Sequence, residues 1–203
     1  TATIINGALS VEDDGAVANG VATNSVKAIV TDAYGNRVPN LSVDFSTDND
    51  GVIAASSTTD ANGLITLTLT NTKSGVTQVT ATVNNHSQTV DSTFIPDTTT
   101  AKVSLEVVTG NMPADGAAQN SIKAKVVDAF GNLIPNQLVN FSATNSATIA
   151  ASGTTGSNGE VIMTLINTNP GDSEITATLD GSNDSDTVTF LPVPFSVKFT
   201  LSI

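Results

Sequence analysis

Apolar side chains recur at every second position in short runs along this chain, and each run is bounded by Gly, Pro, Asn or Asp. Val26, Ala28 and Val30 share one face of such a run, and Val43 and Phe45 share one face of the next. Ile65, Leu67 and Leu69 alternate with Thr66, Thr68 and Thr70, and Val79, Ala81 and Val83 follow. Successive side chains of a strand point to opposite faces, so each run predicts a strand with one face turned inward. Leu9 and Val11 open the series; Val90 and Phe94 close it. Between the runs, Asp32-Ala33-Tyr34-Gly35-Asn36 reads as a turn and Asn62-Gly63 as a tight hairpin turn. About seven short strands with frequent turns predict an all-β, antiparallel sandwich.

The whole series then comes round again. Asn24-Ser25-Val26-Lys27-Ala28 returns as Asn120-Ser121-Ile122-Lys123-Ala124, and the turn at Asp32 returns as Asp128-Ala129-Phe130-Gly131-Asn132, at an offset of 96 residues. Without a gap the same offset aligns Pro39-Asn40 with Pro135-Asn136, Ile53-Ala54-Ala55-Ser56 with Ile149-Ala150-Ala151-Ser152, and Thr80-Ala81-Thr82 with Thr176-Ala177-Thr178. Val90 and Phe94 are matched to Val188 and Phe190 on a slightly looser register. A repeat of this length predicts an array of like domains, here residues 1–96 and 97–192. Residues 193–203 read as the first strand of a truncated third copy, because Phe199, Leu201 and Ile203 fall on Val103, Leu105 and Val107. The chain is therefore expected to be a piece of a longer array. Pro96 through Thr100 is expected to be an extended, semi-rigid joint.

Composition narrows the class. Trp and Cys are absent and Thr is abundant, so each sandwich must hold together without a disulfide or a core indole. No run is long enough to cross a membrane as a helix and no signal peptide opens the sequence, so a secreted origin places the targeting parts outside this piece. Net charge is −12: nine acids face three bases in residues 1–96, and ten face three in residues 97–192. Without a basic stripe to displace counterions, neither nucleic acid nor an anionic membrane surface is an expected partner. The acidity reads as a solubilising, self-repelling surface.

Candidate chemistry is sparse. His86 is the sole histidine, set in the polar run Asn84-Asn85-His86-Ser87-Gln88, and reads as a solvated loop residue rather than a general base. Glu12-Asp13-Asp14 and Asp48-Asn49-Asp50 offer paired carboxylates, but the second copy has Val108-Thr109-Gly110 and Thr144-Asn145-Ser146 there, so solvated loops are expected. Asp180-Gly181-Ser182-Asn183-Asp184-Ser185-Asp186 has the oxygen density calcium favours without EF-hand spacing. Lys27 and Lys123 would need burial beside a carboxyl to form a Lys–Asn crosslink, and alternation places them outward. Tyr34 and Phe130 sit at equivalent turn positions, where a ring is expected to pack over its own sandwich or an adjoining domain. No residue is assigned as catalytic, cofactor-binding or metal-ligating, no cofactor is expected, and the partner-binding residues stay unassigned.

The ordered set Asn-Ser-x-Lys-Ala, Asp-Ala-Tyr/Phe-Gly-Asn-x-Val/Ile-Pro-Asn, Val-x-Phe-Ser, x-Asn-Gly and Thr-Ala-Thr occurs in both copies, over residues 5 to 192. It resembles the group 1 bacterial immunoglobulin-like domain of intimin/invasin inverse autotransporter adhesins. The resemblance implies two tandem immunoglobulin-like sandwiches from the extracellular passenger of a bacterial surface protein, anchored in the outer membrane by a β-barrel outside this piece. It implies a non-catalytic stalk that contacts neighbouring immunoglobulin-like domains of the same chain and presents a distal adhesive tip to host cells, matrix or other bacteria. Two other expectations stand beside it: that these domains themselves bind a host receptor, matrix component or glycan, or self-associate between cells; or that they are spacers in a secreted enzyme.

Overall fold

The structure is a computed structural model; it describes residues 1–5 and 8–194. The chain folds as two compact units that divide between Asp97 and Thr98. The strands of the first are β1 (Leu9–Asp13), β2 (Asn24–Ile29), β3 (Ser42–Thr47), β4 (Val52–Ile53), β5 (Ser56–Thr58), β6 (Leu64–Thr70), β7 (Gly75–Val83) and β8 (His86–Phe94). They form two four-stranded sheets, in the orders β1-β2-β6-β4 and β5-β3-β7-β8. These are the two layers of an immunoglobulin-type sandwich, as the alternation predicts.

The inward faces supply the core. Leu9, Val26, Ala28, Ile65 and Leu69 from one sheet meet Val43, Phe45, Val79, Ala81, Val83 and Phe94 from the other, all buried. The segment from β4 to β5 changes layers: Ile53 pairs with Leu69, whereas Ser57 pairs with Val43 across the sandwich. Asn62-Gly63 consequently joins strands of different sheets, so it is not the hairpin turn its dipeptide suggests. Gly63 has φ +67°, and a Cβ there would lie 2.9 Å from the Val30 carbonyl, so only glycine fits this close approach. The true two-residue hairpin is Asn84-Asn85, at φ 48° and 65°, between β7 and β8.

The second unit repeats this plan with β9 (Lys102–Thr109), β10 (Met112–Pro113), β11 (Asn120–Val127), β12 (Leu138–Ala143), β13 (Thr148–Ile149), β14 (Ser152–Thr154), β15 (Glu160–Ile166), β16 (Gly171–Leu179) and β17 (Ser182–Leu191). Its sheets run β13-β15-β11-β9 and β10-β17-β16-β12-β14. β10 pairs in parallel with the end of β17, through Met112 with Phe190 and Pro113 with Leu191. The first unit makes the same parallel contact as a single bridge, Val17 with Ile95. Packing differences are compensated locally. Gly153 replaces Ser57, and Met163, in the place of Leu67, brings its sulfur to 2.7 Å from where a Cβ at 153 would sit.

Two expectations are corrected. The last strands keep strict register: Val79 pairs with Val90, and its counterpart Ile175 pairs with Asp186. The match of Val90 to Val188 is therefore wrong; Ser92 holds the buried position of Val188. The joint is not extended throughout either. Thr98–Thr100 forms a 3₁₀ turn, closed by Ala101 N–H donating to the Thr98 carbonyl, because local hydrogen bonds outweigh the extended preference of threonine. Of the third copy expected at residues 193–203, all but residues 193–194 lies outside the described residues.

Candidate functional site

The acidic clusters that differ between copies are the natural place to look for chemistry, and Glu12, Asp13, Asp14, Asp48, Asp50, Asp184 and Asp186 are all bonded within their own domain. β1 carries a register shift between Val11 and Asp13 as it pairs with β2. That shift spreads Glu12, Asp13 and Asp14 in different directions. Glu12 pairs with Lys27 at 2.6 Å, and Asp13 accepts from the Ser25 hydroxyl at 2.7 Å. Asp14 accepts from the Thr93 N–H at 2.7 Å, the Ser92 hydroxyl at 3.0 Å and the Asn24 amide at 3.3 Å.

Behind Asp14 lies a buried polar knot that the alternating pattern conceals. Asn24 is fully buried; its amide nitrogen donates to Ser92 at 2.8 Å and to the Thr93 carbonyl at 2.9 Å, and its oxygen accepts from Ala16 N–H at 2.8 Å. Asn120 does the same work for Met112 N–H and the Thr189 carbonyl, both at 3.2 Å. The only sequence signal was the identity of Asn24 and Asn120 at the same repeat position, ahead of a hydrophobic run.

Asp48 caps the β3–β4 turn by accepting from Gln78 N–H at 2.7 Å, and Thr144 caps Glu174 N–H at 2.8 Å in the second copy. Asp50 pairs with Lys73 at the surface. One substitution is thus a like-for-like exchange of acceptors and the other an exposed ion pair, worth little. Lys27 and Lys123 lie on the outer sheet face, where Lys123 reaches Glu106 at 2.8 Å and Glu160 at 3.8 Å. The hydrogen bond and charge of Glu106 raise the Lys123 ammonium above its ordinary pKa, and Lys123 lowers Glu106 in return.

His86 is exposed, but it is the first residue of β8 rather than part of a loop. The run Asp180–Asp186 is likewise a hairpin tip and a strand. Asp180 and Gly181 take φ of 40° and 86° as the turn, Asp184 accepts from Leu105 and Ser185 N–H groups at 2.8 and 3.0 Å, and Asp186 accepts from Thr187 N–H at 2.8 Å. Asp184 and Asp186 share one face of β17, but these backbone bonds tie each carboxylate down separately. Among the described residues no group of three or more His, Cys, Asp or Glu is placed to hold a metal ion.

The repeated Asp-Ala-aromatic-Gly-Asn turn closes on its first residue. Asp32 accepts from Tyr34 and Asn36 N–H groups at 2.9 Å and from the Asn36 amide at 3.0 Å; Asp128 repeats all three at 2.9, 2.8 and 2.8 Å. The Asn36 side chain, then its backbone, holds the Asp32 carboxyl below its ordinary range. Asp60 is lowered by Leu64 N–H, and Asp115 by the N–H groups of Ala118 and Ala117. This bonding thrusts the intervening ring outward. Tyr34 is 92% exposed and Phe130 52% exposed, so the expectation that Tyr34 packs over its own sandwich is overturned. Beside that turn an open groove of about 570 Å³ is lined by Thr3, Ile5, Thr31, Ala33 and Arg37, among others. No helix of the described residues is long and apolar enough to cross a membrane.

Two successive sandwiches with immunoglobulin strand order, each stabilised internally by its own acids, define a tandem array of immunoglobulin-like modules. The chain belongs to the bacterial Ig-like domain (group 1) family, which it matches over residues 6–95 and 102–191. It is 33% identical, over 96% of its length, to the inverse autotransporter adhesin YeeJ of Escherichia coli strain K12, of which it spans 9%. The resemblance to the intimin/invasin adhesins is thereby borne out at the level of the family. Among solved structures it resembles Yersinia pseudotuberculosis InvD, at 21% identity and a TM-score of 0.70 over 100% of this chain and 61% of that one. It also resembles the Escherichia coli adhesin FdeC, at 20% identity and a TM-score of 0.51 over 92% and 63%. These two show the fold.

Proposed function

We propose that this chain is a non-catalytic stalk segment of a bacterial surface adhesin, with domains at residues 1–96 and 97–192 and a third copy opening at residues 193–203. In this reading it lies outside the cell, held to the outer membrane by a part of the protein beyond this piece, and it extends and presents an adhesive tip. Its partners include the neighbouring immunoglobulin-like domains of its own chain, and the host receptor or matrix contact belongs to the tip. One observation carries the reading. The copies agree at most inward positions and at the Asp-Ala-aromatic-Gly-Asn turn, and where the candidate acidic clusters differ their carboxylates are spent on caps and ion pairs within each sandwich. The inverse autotransporter relative supports the setting.

The test is made on the parent protein at the cell surface. Deleting residues 97–192 should weaken attachment, and inserting an unrelated sandwich of similar length should restore it. If only the native residues restore attachment, these domains bind a ligand directly and the stalk reading fails.

A further inference from the structure

The two copies treat one sheet edge differently. β8 and β17 are the last strands of their domains, and each is paired on one side only along its first half. The two-residue hairpins close on the pairs Val83 with His86 and Leu179 with Ser182. In an antiparallel ladder alternate pairs exchange both hydrogen bonds, so Ser87, Thr89, Asp91 and Thr93 turn their N–H and C=O groups away from β7. Thr93 proves the direction: its N–H meets Asp14 and its carbonyl accepts from Gly15 N–H at 3.0 Å.

The lane beside this strand is a real strand position. At the far end of the edge the chain's own residues occupy it: Ile95 N–H donates to the Ala16 carbonyl at 3.0 Å and Ala18 N–H to the Ile95 carbonyl at 2.8 Å. In the second copy the remaining half is sealed by side chains. Asp184 takes up Ser185 N–H, Asp186 takes up Thr187 N–H, and Ser182 and Asp184 bind Val103 and Leu105 N–H of β9 opposite. Charged side chains on an edge strand are a known way of blunting it, and here they also take up the outward donors. In the first copy Gln88 and Val90 stand where Asp184 and Asp186 stand. Among the described residues no group closes the outward N–H of Ser87, Thr89 or Asp91.

We propose that the Ser87–Asp91 edge of β8 receives the same edge of a second copy of this chain, as an antiparallel pair centred on Thr89. The window is self-complementary. In that register Ser87 faces Asp91 of the second copy, hydroxyl against carboxylate; Gln88 faces Val90; Thr89 faces Thr89. Every outward N–H and C=O in the window finds a partner, and no acid faces an acid. The same pairing of the second domain, centred on Ser185, sets Asp184 directly against Asp186, which is repulsive. The sealed edge is thus also the one that charge forbids. The hairpin at one end and residues 14–16 at the other limit the contact to this short stretch, so it is a weak contact that multiplies when many chains meet.

The chain has no cysteine, so single cysteines report the contact. In the pair, the Cα atoms of residue 89 lie about 5.5 Å apart, inside the disulfide range. The 203-residue chain carrying Thr89→Cys should form a disulfide-linked dimer under mild oxidation, about tenfold or more faster than the same chain with Ser185→Cys. Adding Gln88→Asp and Val90→Asp should reduce the Thr89→Cys rate to that of Ser185→Cys. The second copy already carries acids at both positions, and a circular dichroism melt checks that the fold survives; Thr89→Pro, which removes the central outward N–H, is a second block. In sedimentation the unmodified chain should dimerise reversibly between about 10 µM and about 1 mM. Equal crosslinking at residues 89 and 185, insensitivity to the two acids, or a chain that stays monomeric throughout would overturn the proposal, whatever else the edge binds. The stalk reading is untouched by any of these results.

Discussion

Single residues hold these sandwiches closed at points where alternation says nothing. Asn24 and Asn120 are buried polar side chains at the start of strands, and each ties a bulged first strand to a last strand. Asn24→Ala leaves the Ala16 N–H and the Thr93 carbonyl without that partner. It should destabilise the first domain by about 1–3 kcal/mol, seen as a fall in melting temperature of roughly 10 °C. Asp60 acts at the surface. Its carboxyl is lowered by Leu64 N–H, so its ionised form favours the folded state. That contribution is complete above the unfolded carboxylate pKa near 3.8 and is lost as pH falls through the folded value. The melting temperature of the first domain should hold steady above about pH 5 and fall below about pH 4. In Asp60→Asn, followed by calorimetry against pH, the acid fall should be shallower. Lys123 works in the opposite sense, since a raised lysine stabilises below its unfolded pKa and is lost as pH rises through the folded one, while its partner Glu106, lowered, behaves like Asp60.

Elements show how far the sequence could be read. Alternation located the strands with long inward rows, such as β6 and β7, because burial of every second side chain leaves a direct mark. It did not locate the hairpins. Asn62-Gly63 carries the commoner hairpin dipeptide but joins two sheets, while Asn84-Asn85 adopts the hairpin geometry because the β7–β8 ladder demands it. Tertiary pairing overrode local preference. Asn85→Gly should therefore stabilise the first domain by about 0.5–1 kcal/mol, measured in urea, because glycine accepts φ near 65° without strain. Sequence alone points the acidic segments to solvated loops, because charge does not reveal a backbone donor across the sandwich. Asp14 reaching Thr93 and Asp184 reaching Leu105 are contacts between residues 79 apart. The looser register assumed for the last strand failed for a related reason. Val90 and Val188 look alike, but burial belongs to position, and Ser92 takes the inward place through its bonds to Asn24 and Asp14.

At the scale of the whole molecule, the repeat, the all-β class and the family were legible, since each rests on patterns that recur along the chain. The edge that distinguishes the copies was not, since it depends on which N–H groups a ladder leaves over. In each domain the segment after the first strand runs parallel to the end of the last strand, through Val17 with Ile95 and through Met112 and Pro113 with Phe190 and Leu191. That early segment leads to one terminus of the domain and the last strand leads to the other. Tension applied through the termini therefore loads this patch in shear, with its hydrogen bonds strained together rather than unzipped in turn. Pro113 is tolerated there because Met112 and Ala114 flank it in the pairing, and Ala114 N–H supplies the bond to Leu191 at 2.8 Å. Ala18→Pro removes the matching donor to Ile95 in the first domain and should lower that domain's unfolding force in single-molecule pulling, leaving the second domain's force unchanged. Under such a load a domain would yield first where this short parallel clasp is weakest, so the clasp sets the force each domain can bear.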